Sequence, residues 1–265
     1  MEFEKLRYEV SEEIATVTLY RPDRLNALDH VLRDEILQAL DMAGEDEEAR
    51  ALILTGAGRA FCAGGDLQDV LQRGLTMDPK TRERLAVRGF NEVVRAMRHL
   101  EKPIIAAVNG IAVGGGCCLA LAADIRIATP DARFGMVFVR LGLSSADMGG
   151  SFLLPRLVGL AHASELMLTG EIIDAERAEK IGLVNRLVPA DRLMATAGDL
   201  AKGLAAGPPI GLALTKRALN RSLGLDIAEH LDYEAFVQSK CMATEDHREG
   251  VEAFLEKRKA RFEGR

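Results

Sequence analysis

The stretch Val108–Ala123, which reads VNGIAVGGGCCLALAA, constrains the fold of this chain more than any other. The residues just before it, 103–108, form a short apolar and β-branched run that predicts a buried strand. Asn109-Gly110 then marks a turn. Three glycines at 114–116 precede a run of good helix formers without a breaker, so we predict a buried helix that begins at those glycines.

A helix that begins at glycines offers a place for a negatively charged oxygen. The first N–H groups of a helix have no internal partner and carry the positive end of the helix dipole, and glycine has no side chain to block the approach. The alternative is that the glycines only let the helix pack closely on the sheet. The stretch by itself leaves both interpretations open, and a second glycine-rich loop upstream favours the first.

That second loop is Gly56–Asp66, GAGRAFCAGGD, and it follows the apolar run Ala51–Leu54. A glycine pair directly after a strand is typical of dinucleotide-binding sites, but Phe61 stands where the third glycine is needed and no helix begins at once. The small residues Ala63-Gly64-Gly65 instead allow another backbone N–H to point outward. The alternative is a plain surface turn.

A third loop, Arg140–Gly150, contains a single aspartate, Asp147, between two apolar stretches. An aspartate in a loop is usually a helix cap or a turn former, and its small and polar neighbours favour such a place. From the residues alone this structural role is the favoured interpretation of Asp147, and a catalytic role is the alternative.

Composition excludes several classes of protein. The chain of 265 residues is 48% hydrophobic with mixed charge, as in a globular protein of one large domain or one domain plus an appendage. The net charge of −6 argues against nucleic-acid binding. We expect no signal peptide and no membrane span. The cysteines at 62, 117, 118 and 241 have neither CxxC nor zinc-ligand spacing, so we expect reduced, mostly buried thiols, no metal and a cytoplasmic location.

Apolar periodicity predicts alternating strands and helices up to residue 206. We predict a hairpin over 8–19, a helix over 28–43 capped by Asp29, further strands at 125–128 and 133–135, and a pattern of two strands followed by a helix that recurs. Other predicted elements are a helix from about 67, one over 161–168, a short one after 172–175, a strand-like exit over 182–189 and a helix over 191–205. Gly207-Pro208-Pro209 is the clearest breaker, so we divide the chain into a mixed core, 1–206, and a helical region, 207–265, with helices over 210–223, 227–240 and 245–261.

With these loops in view, the sequence resembles the crotonase family, the enoyl-CoA hydratase/isomerase superfamily, over essentially its whole length. Each motif alone is weak, but their order and spacing together are specific. The matching motifs are Arg21-Pro22-x-x-Leu25-Asn26-Ala27-Leu28, Phe61-Cys62-Ala63-Gly64-Gly65-Asp66-Leu67, Asn109-Gly110-x-Ala112-x-Gly114-Gly115-Gly116-Cys117, Asp124-Ile125-Arg126-Ile127-Ala128, Gly149-Gly150-Ser151 and Glu249-Gly250-Val251-x-Ala253-Phe254.

The resemblance implies an α/β fold, a spiral of ββα units with a C-terminal helical trimerisation region, assembled as a homotrimer or a dimer of trimers. It also implies an acyl-CoA substrate, no further cofactor, and an oxyanion hole whose donors are the N–H groups of Gly65 and Gly115. Residues at positions that line the CoA or acyl site are Arg24, Leu25, Ala27, Ala63, Gly64, Asp66, Leu67, Gly114 and Phe138. Phe254 and Lys257 match residues that reach the adenine end, often from a neighbouring subunit.

The chain departs from the family's hydratases at the two glutamates that deliver water. Cys118 stands at the first position and Phe138 at the second, within one residue, and adding water needs an activated water and a proton donor. Asp147 lies where some isomerases of the family keep a catalytic aspartate, and 141–150 resembles the ring-epoxide isomerases of phenylacetyl-CoA degradation. We therefore expect an enoyl-CoA isomerase with Asp147 as the acid/base. The alternatives are a hydratase with another water-positioning set and an acyl-CoA binder without catalysis.

Overall fold

The structure is a computed structural model that describes residues 3–81, 89–222 and 224–265. The strands are β1 Leu6–Ser11, β2 Ile14–Leu19, β3 Ala51–Gly56, β4 Ala60–Cys62, β5 Ile104–Val108, β6 Ile111–Val113, β7 Ile125–Ala128, β8 Arg133–Gly135, β9 Ile172–Asp174 and β10 Arg186–Leu187. They form a six-stranded sheet in the order β1-β2-β3-β5-β7-β10 and a four-stranded sheet in the order β4-β6-β8-β9.

The described α-helices follow the strands as the sequence pattern indicates. They are α1 His30–Glu45, α2 Arg73–Thr76, α3 Asn91–His99, α4 Gly115–Ala122, α5 Gly150–Thr169, α6 Ala175–Lys180, α7 Leu193–Ala205, α8 Pro209–Ser222, α9 Ile227–Met242 and α10 Glu245–Glu256. The predicted cap of α1 is confirmed, because the side chain of Asp29 accepts a hydrogen bond from the N–H of Leu32 at 2.8 Å.

The recurring unit of two strands and a helix is confirmed and forms a spiral. The pairs β3–β4, β5–β6 and β7–β8 each place their first strand in the larger sheet and their second in the smaller one. Within the larger sheet β3, β5 and β7 are parallel neighbours. Each turn of the spiral therefore adds one strand to each sheet.

The larger sheet is buried on both faces because its side chains alternate between two clusters. Ile53 and Ile105 point to one face, where they pack with Leu193 and Ala197 of α7. Their neighbours in sequence point to the other face and join the main core with α1, α3 and α4. Parallel strands covered on both sides need continuous apolar runs, and this is why residues 51–54 and 103–108 could be predicted as strands from the sequence.

Three sequence predictions need correction. α5 begins at Gly150, well before the predicted 161, and is broken at Gly159, whose φ is 78°. The predicted strand-like exit over 182–189 is a strand only at Arg186–Leu187. The last helix ends at Glu256 rather than near 261, because Lys257 adopts a left-handed conformation with φ of 58° that terminates the helix.

The helical C-terminal region is fixed to the core through Asp124. The Lys216 ammonium of α8 lies 2.8 Å from a carboxylate oxygen of Asp124, which also accepts from the N–H of Ile104 at 2.8 Å. Asp124 therefore has a structural role. The division of the chain at 206/207 stays a prediction. In the described ranges, no helix is both long enough and apolar enough to cross a membrane.

Candidate active site

The first predicted donor, the N–H of Gly65, is turned toward a cavity by the pairing of its loop. The N–H of Leu28 donates to the carbonyl of Gly64 at 2.7 Å, and the N–H of Asp66 donates to the carbonyl of Leu28 at 2.8 Å. Because hydrogen-bonding groups alternate along an extended strand, the N–H of Gly65 between them points the other way. Among the described residues this N–H has no acceptor.

The second predicted donor, the N–H of Gly115, opens helix α4. Gly114 before it has a φ of 54° and donates its own N–H to the carbonyl of Gly135 at 2.8 Å. As the first residue of the helix, Gly115 has an N–H without an intrahelical acceptor. The helix behind it is buried throughout, so the positive end of its dipole acts through protein rather than through water.

The two donor loops touch, and they do so because they are made of glycine. A Cβ on Gly64 would lie 3.4 Å from the nitrogen of Gly115 and 2.8 Å from the carbonyl oxygen of Val113. A Cβ on Gly115 would lie 3.0 Å from both the Met148 sulfur and a methyl group of Leu28. The close approach of these loops explains why side chains are absent here.

The two loops line one cavity of about 390 Å³. Its walls include every residue that the sequence analysis places at the site except Phe254 and Lys257. The predicted residues on its walls are Arg24, Leu25, Ala27, Ala63, Gly64, Gly65, Asp66, Leu67, Gly114, Gly115, Phe138 and Asp147. The structure thus brings together groups that are more than 120 residues apart in the chain, and their roles stay predictions.

Asp147 lies on a wall of the cavity that follows a 3-10 helix over Val137–Leu141. Asp147 is exposed, yet protein atoms surround its carboxyl group, and the resulting desolvation raises the pKa of that group. The N–H of Met148 donates to the carboxylate at 2.9 Å, which lowers the pKa but does not outweigh the desolvation. Met148 has a φ of 44° and Gly149 a φ of 73°. A left-handed methionine is strained, and such strain is common where a structure holds a functional group in place.

Asp66 is the other carboxylate among the described residues on the walls, and its oxygens are occupied. One accepts from the N–H groups of Gln68 at 3.0 Å and Asp69 at 3.2 Å, and the other accepts from the Arg21 guanidinium at 3.0 Å. Desolvation raises the pKa of Asp66, but these hydrogen bonds and the Arg21 charge outweigh it and hold the pKa below its usual value. A carboxylate engaged in this way is a poor proton acceptor.

The two positions where the family's hydratases have glutamates hold no carboxylate. Cys118 is fully buried, its thiol lies 3.5 Å from the carbonyl oxygen of Asp147, and desolvation raises its pKa far above the ordinary value. Burial likewise raises the pKa of Cys117 to about 12. The expectation of buried thiols is confirmed at 117 and 118. Phe138 borders the cavity, with its ring end 3.9 Å from where a Cβ on Gly114 would lie.

Phe254 and Lys257 lie elsewhere in their own chain. Phe254 is 82% exposed on α10 and lines a separate groove of about 470 Å³ with Ile210 and Phe262. Lys257 ends that helix. The structure does not bring them to the cavity of this chain. That they contact the ligand of a neighbouring subunit stays a prediction.

The sequence analysis missed part of the apolar lining. Val70, Phe90 and Met148 contribute to the walls, but nothing in their local sequence distinguishes them from core residues. Val70 belongs to a π-helix over Leu67–Gln72, a form that is frequent at functional sites and that only the structure reveals. In the described part of the chain, no group of three or more His, Cys, Asp or Glu residues could hold a metal ion.

Comparison with known proteins decides the family. The family model described as enoyl-CoA hydratase/isomerase matches residues 9–265. The chain belongs to the enoyl-CoA hydratase/isomerase family. It is therefore an acyl-CoA enzyme of that family, and the predicted resemblance and fold class are confirmed.

Individual members of the enoyl-CoA hydratase/isomerase family match the chain end to end. It is 41% identical to the 1,2-epoxyphenylacetyl-CoA isomerase of Escherichia coli, over 97% of both chains. It is 40% identical to the short-chain-enoyl-CoA hydratase of Clostridium acetobutylicum, over 98% of this chain and 97% of the other. The crystal structure of an enoyl-CoA hydratase from Bacillus anthracis has a TM-score of 0.92 at 33% identity, covering 99% of this chain and all of the other.

Proposed function

We propose that this enzyme moves a double bond within an enoyl-CoA thioester, with Asp147 as its single acid/base. One observation carries the proposal. Among the described residues that line the cavity, one oxygen of Asp147 accepts from the N–H of Met148 and the other has no protein partner, whereas both oxygens of Asp66 are held by Arg21 and by backbone N–H groups. A 1,3-proton shift needs one such group, because the proton that leaves one carbon returns to another.

The reaction balances without any added molecule. Asp147 takes a proton from the saturated carbon next to the double bond, alpha or gamma to the thioester carbonyl, and the electron pair of that C–H bond moves to the thioester oxygen as the conjugated dienolate forms. The N–H groups of Gly65 and Gly115 stabilise this enolate. The carboxyl group then returns the proton to another carbon of the same system. An oxyanion donor of this kind contributes about 3–4 kcal/mol to transition-state stability.

The surroundings of Asp147 favour this use. Desolvation raises the pKa of its carboxyl group, which makes the carboxylate a stronger base toward carbon acids. The lining around Asp147 is apolar and includes Phe138, Leu143 and Met148. Such a lining suits a hydrocarbon acyl group and leaves little to hold a reactive water.

The same proposal includes the oligomeric assembly, the absence of a further cofactor and a cytoplasmic location. The C-terminal helices expose large apolar side chains, including Ile227, Met242 and Leu255, which a homotrimer or a hexamer would bury. In that assembly Phe254 and Lys257 would reach the adenine end of a neighbour's CoA. The reaction needs no cofactor besides the CoA of the substrate, and the free thiols suit the cytoplasm.

Hydration of an enoyl-CoA is the second candidate, and the relatives' names favour it. The hydratase of Clostridium acetobutylicum is 40% identical to this chain and the isomerase of Escherichia coli is 41% identical. Overall similarity therefore does not separate the two reactions. Cys118 and Phe138 weigh against hydration because neither supplies a proton or activates water.

A screen of enoyl-, dienoyl- and aromatic acyl-CoA esters by liquid chromatography coupled to mass spectrometry tests the proposal. An isomer elutes as a separate peak of unchanged mass, whereas hydration adds one water. We expect a mass-neutral conversion that Asp147→Asn lowers by about 10²- to 10⁴-fold, with CoA-ester binding retained in calorimetry. Asp131→Asn, at an exposed aspartate outside the cavity, is the matched control and should keep full activity.

Each other result has a definite meaning. Addition of water to crotonyl-CoA would establish the hydratase instead. Unchanged turnover in Asp147→Asn would remove Asp147 from the mechanism. Binding of the esters without conversion of any of them would make the chain an acyl-CoA binder.

A further inference from the structure

The guanidinium of Arg21 joins the two chain segments that hold the Gly65 amide. One of its terminal nitrogens donates to the carbonyl of Ala27 and the other donates to the Asp66 carboxylate at 3.0 Å. Ala27 precedes Leu28, and Asp66 follows Gly65, so Arg21 binds one residue on each side of the pairing that orients the amide.

We infer that Arg21 is a positioning residue that aims the Gly65 N–H at the substrate oxygen, an inference that rests on the proposed function. The pairing itself consists of two backbone hydrogen bonds between Leu28 and the flanks of Gly65. Two bonds around a flexible glycine leave the peptide plane free to tilt. A planar, two-pronged side chain that binds the Ala27 carbonyl on one segment and the Asp66 carboxylate on the other restricts that freedom.

Arg21 is itself fixed in place by its neighbours. Its backbone N–H donates to the side-chain oxygen of the fully buried Asn26 at 2.9 Å, and its carbonyl accepts from the N–H of Asn26 at 2.9 Å. Asp29 lies 3.1 Å from the guanidinium, and Lys5 lies 2.6 Å from the same Asp29 oxygen. The chain of charges Lys5–Asp29–Arg21–Asp66 therefore runs from the first strand region to the donor loop.

The arrangement does more than join two loops. Asp66 uses its second oxygen to accept the N–H groups that open the π-helix beside the cavity. Arg21 thus sets the position of the carboxylate that holds this wall as well as the amide next to it. An oxyanion donor is effective only if it is aimed where charge develops, so a small tilt lowers the rate while the substrate still binds.

Arg21→Lys is the variant that tests the inference, because lysine keeps the charge but supplies one point of attachment. The spectroscopic probe is hexanoyl-CoA labelled with ¹³C at the thioester carbonyl, which has no double bond to move. We expect the wild-type enzyme to lower the carbonyl stretching frequency of the bound ester and Arg21→Lys to lower it less. The turnover number on the substrate found by the screen should fall about 10- to 100-fold, with little change in the affinity for hexanoyl-CoA.

Arg177→Lys is the matched control, since Arg177 also bridges two carboxylates, at 2.9 Å from Glu171 and 2.6 Å from Glu165, outside the cavity. It should leave both the frequency and the turnover unchanged. A full frequency shift and full turnover in Arg21→Lys would overturn the inference, as would an equal loss in Arg177→Lys.

The probe separates this inference from the proposed function. If Asp147→Asn still isomerises its substrate while Arg21→Lys loses the frequency shift, the proposed role of Asp147 fails and that of Arg21 stands. If the wild-type enzyme gives no frequency shift, the oxyanion hole itself is wrong and the inference falls with it. Loss of folding in Arg21→Lys, seen as lost ester binding, would also contradict a role limited to positioning.

Discussion

Two walls of the cavity are built in opposite ways. The amide wall, formed by Gly64–Gly65 and Gly114–Gly115, rests on buried strands, the buried helix α4 and backbone hydrogen bonds. The carboxylate wall, residues 137–148, consists of a 3-10 helix followed by a loop. Leu141 at the end of that helix is 57% exposed, and Met148 in the loop is strained at a φ of 44°.

Under the proposed function, this difference separates two tasks. Stabilising charge on a thioester oxygen is the same in every reaction that forms an enolate, and it needs donors that do not move. Moving a proton requires a group placed for one particular substrate. Placing that group on a less packed wall allows the reaction to change while the amide wall stays the same, which fits relatives of similar identity whose names describe different reactions.

The largest effect should come from filling the space behind the amide wall. A Cβ on Gly116 would lie 2.0 Å from the carbonyl oxygen of Cys62, and that backbone is fixed in β4. We expect Gly116→Ala to lower the free energy of unfolding by about 3 kcal/mol in chemical denaturation. Gly115→Ala is the matched control, because its neighbours at 3.0 Å are ends of the Leu28 and Met148 side chains, which can move. Equal stability of the two variants would show that the amide wall is not rigid.

The pH dependence of activity tests the carboxylate wall. The pKa of Asp147 is raised from the ordinary value of 3.8, and a base acts only when it has lost its proton. The ratio kcat/KM should therefore rise with pH through a pKa above 3.8, while Asp66, whose pKa is lowered, stays ionised in that range. An acid limb at or below the ordinary value would contradict this, as would the same limb in the residual activity of Asp147→Asn.

The smallest effect concerns stability. Because the pKa of Asp147 is higher in the folded state than in the unfolded state, the folded state binds more protons, and stability falls as pH rises between the two pKa values. Asp147→Asn lacks this loss and keeps an oxygen for the N–H of Met148. We expect a slightly higher Tm for the variant at neutral pH and a difference that shrinks as pH falls toward 3.8. A difference that grows on acidification would show that the carboxylate is not desolvated.

Local pattern was enough to predict the amide wall. Strands 51–54 and 103–108 are continuous apolar runs because both faces of the larger sheet are covered, and the glycines that follow them mark where loops approach each other. The helix that begins at Gly115 also follows from composition alone. The short strands β4 and β6 were missed, because they adjoin glycine-rich loops and their pairing joins distant segments.

The sequence by itself therefore determined the repeating strand, glycine loop and helix, and with it two candidate amides. It could do so because close packing requires apolar residues and glycines at neighbouring positions of the chain. Only the tertiary structure decided that these amides share a cavity, that Arg21 binds the carboxylate of Asp66, and that Asp147 on the carboxylate wall has no such cation among the described residues. The pairing of Arg21 with Asp66 joins residues that are 45 positions apart in the chain. No local pattern contains that information, because the partner of a charge is chosen by the fold.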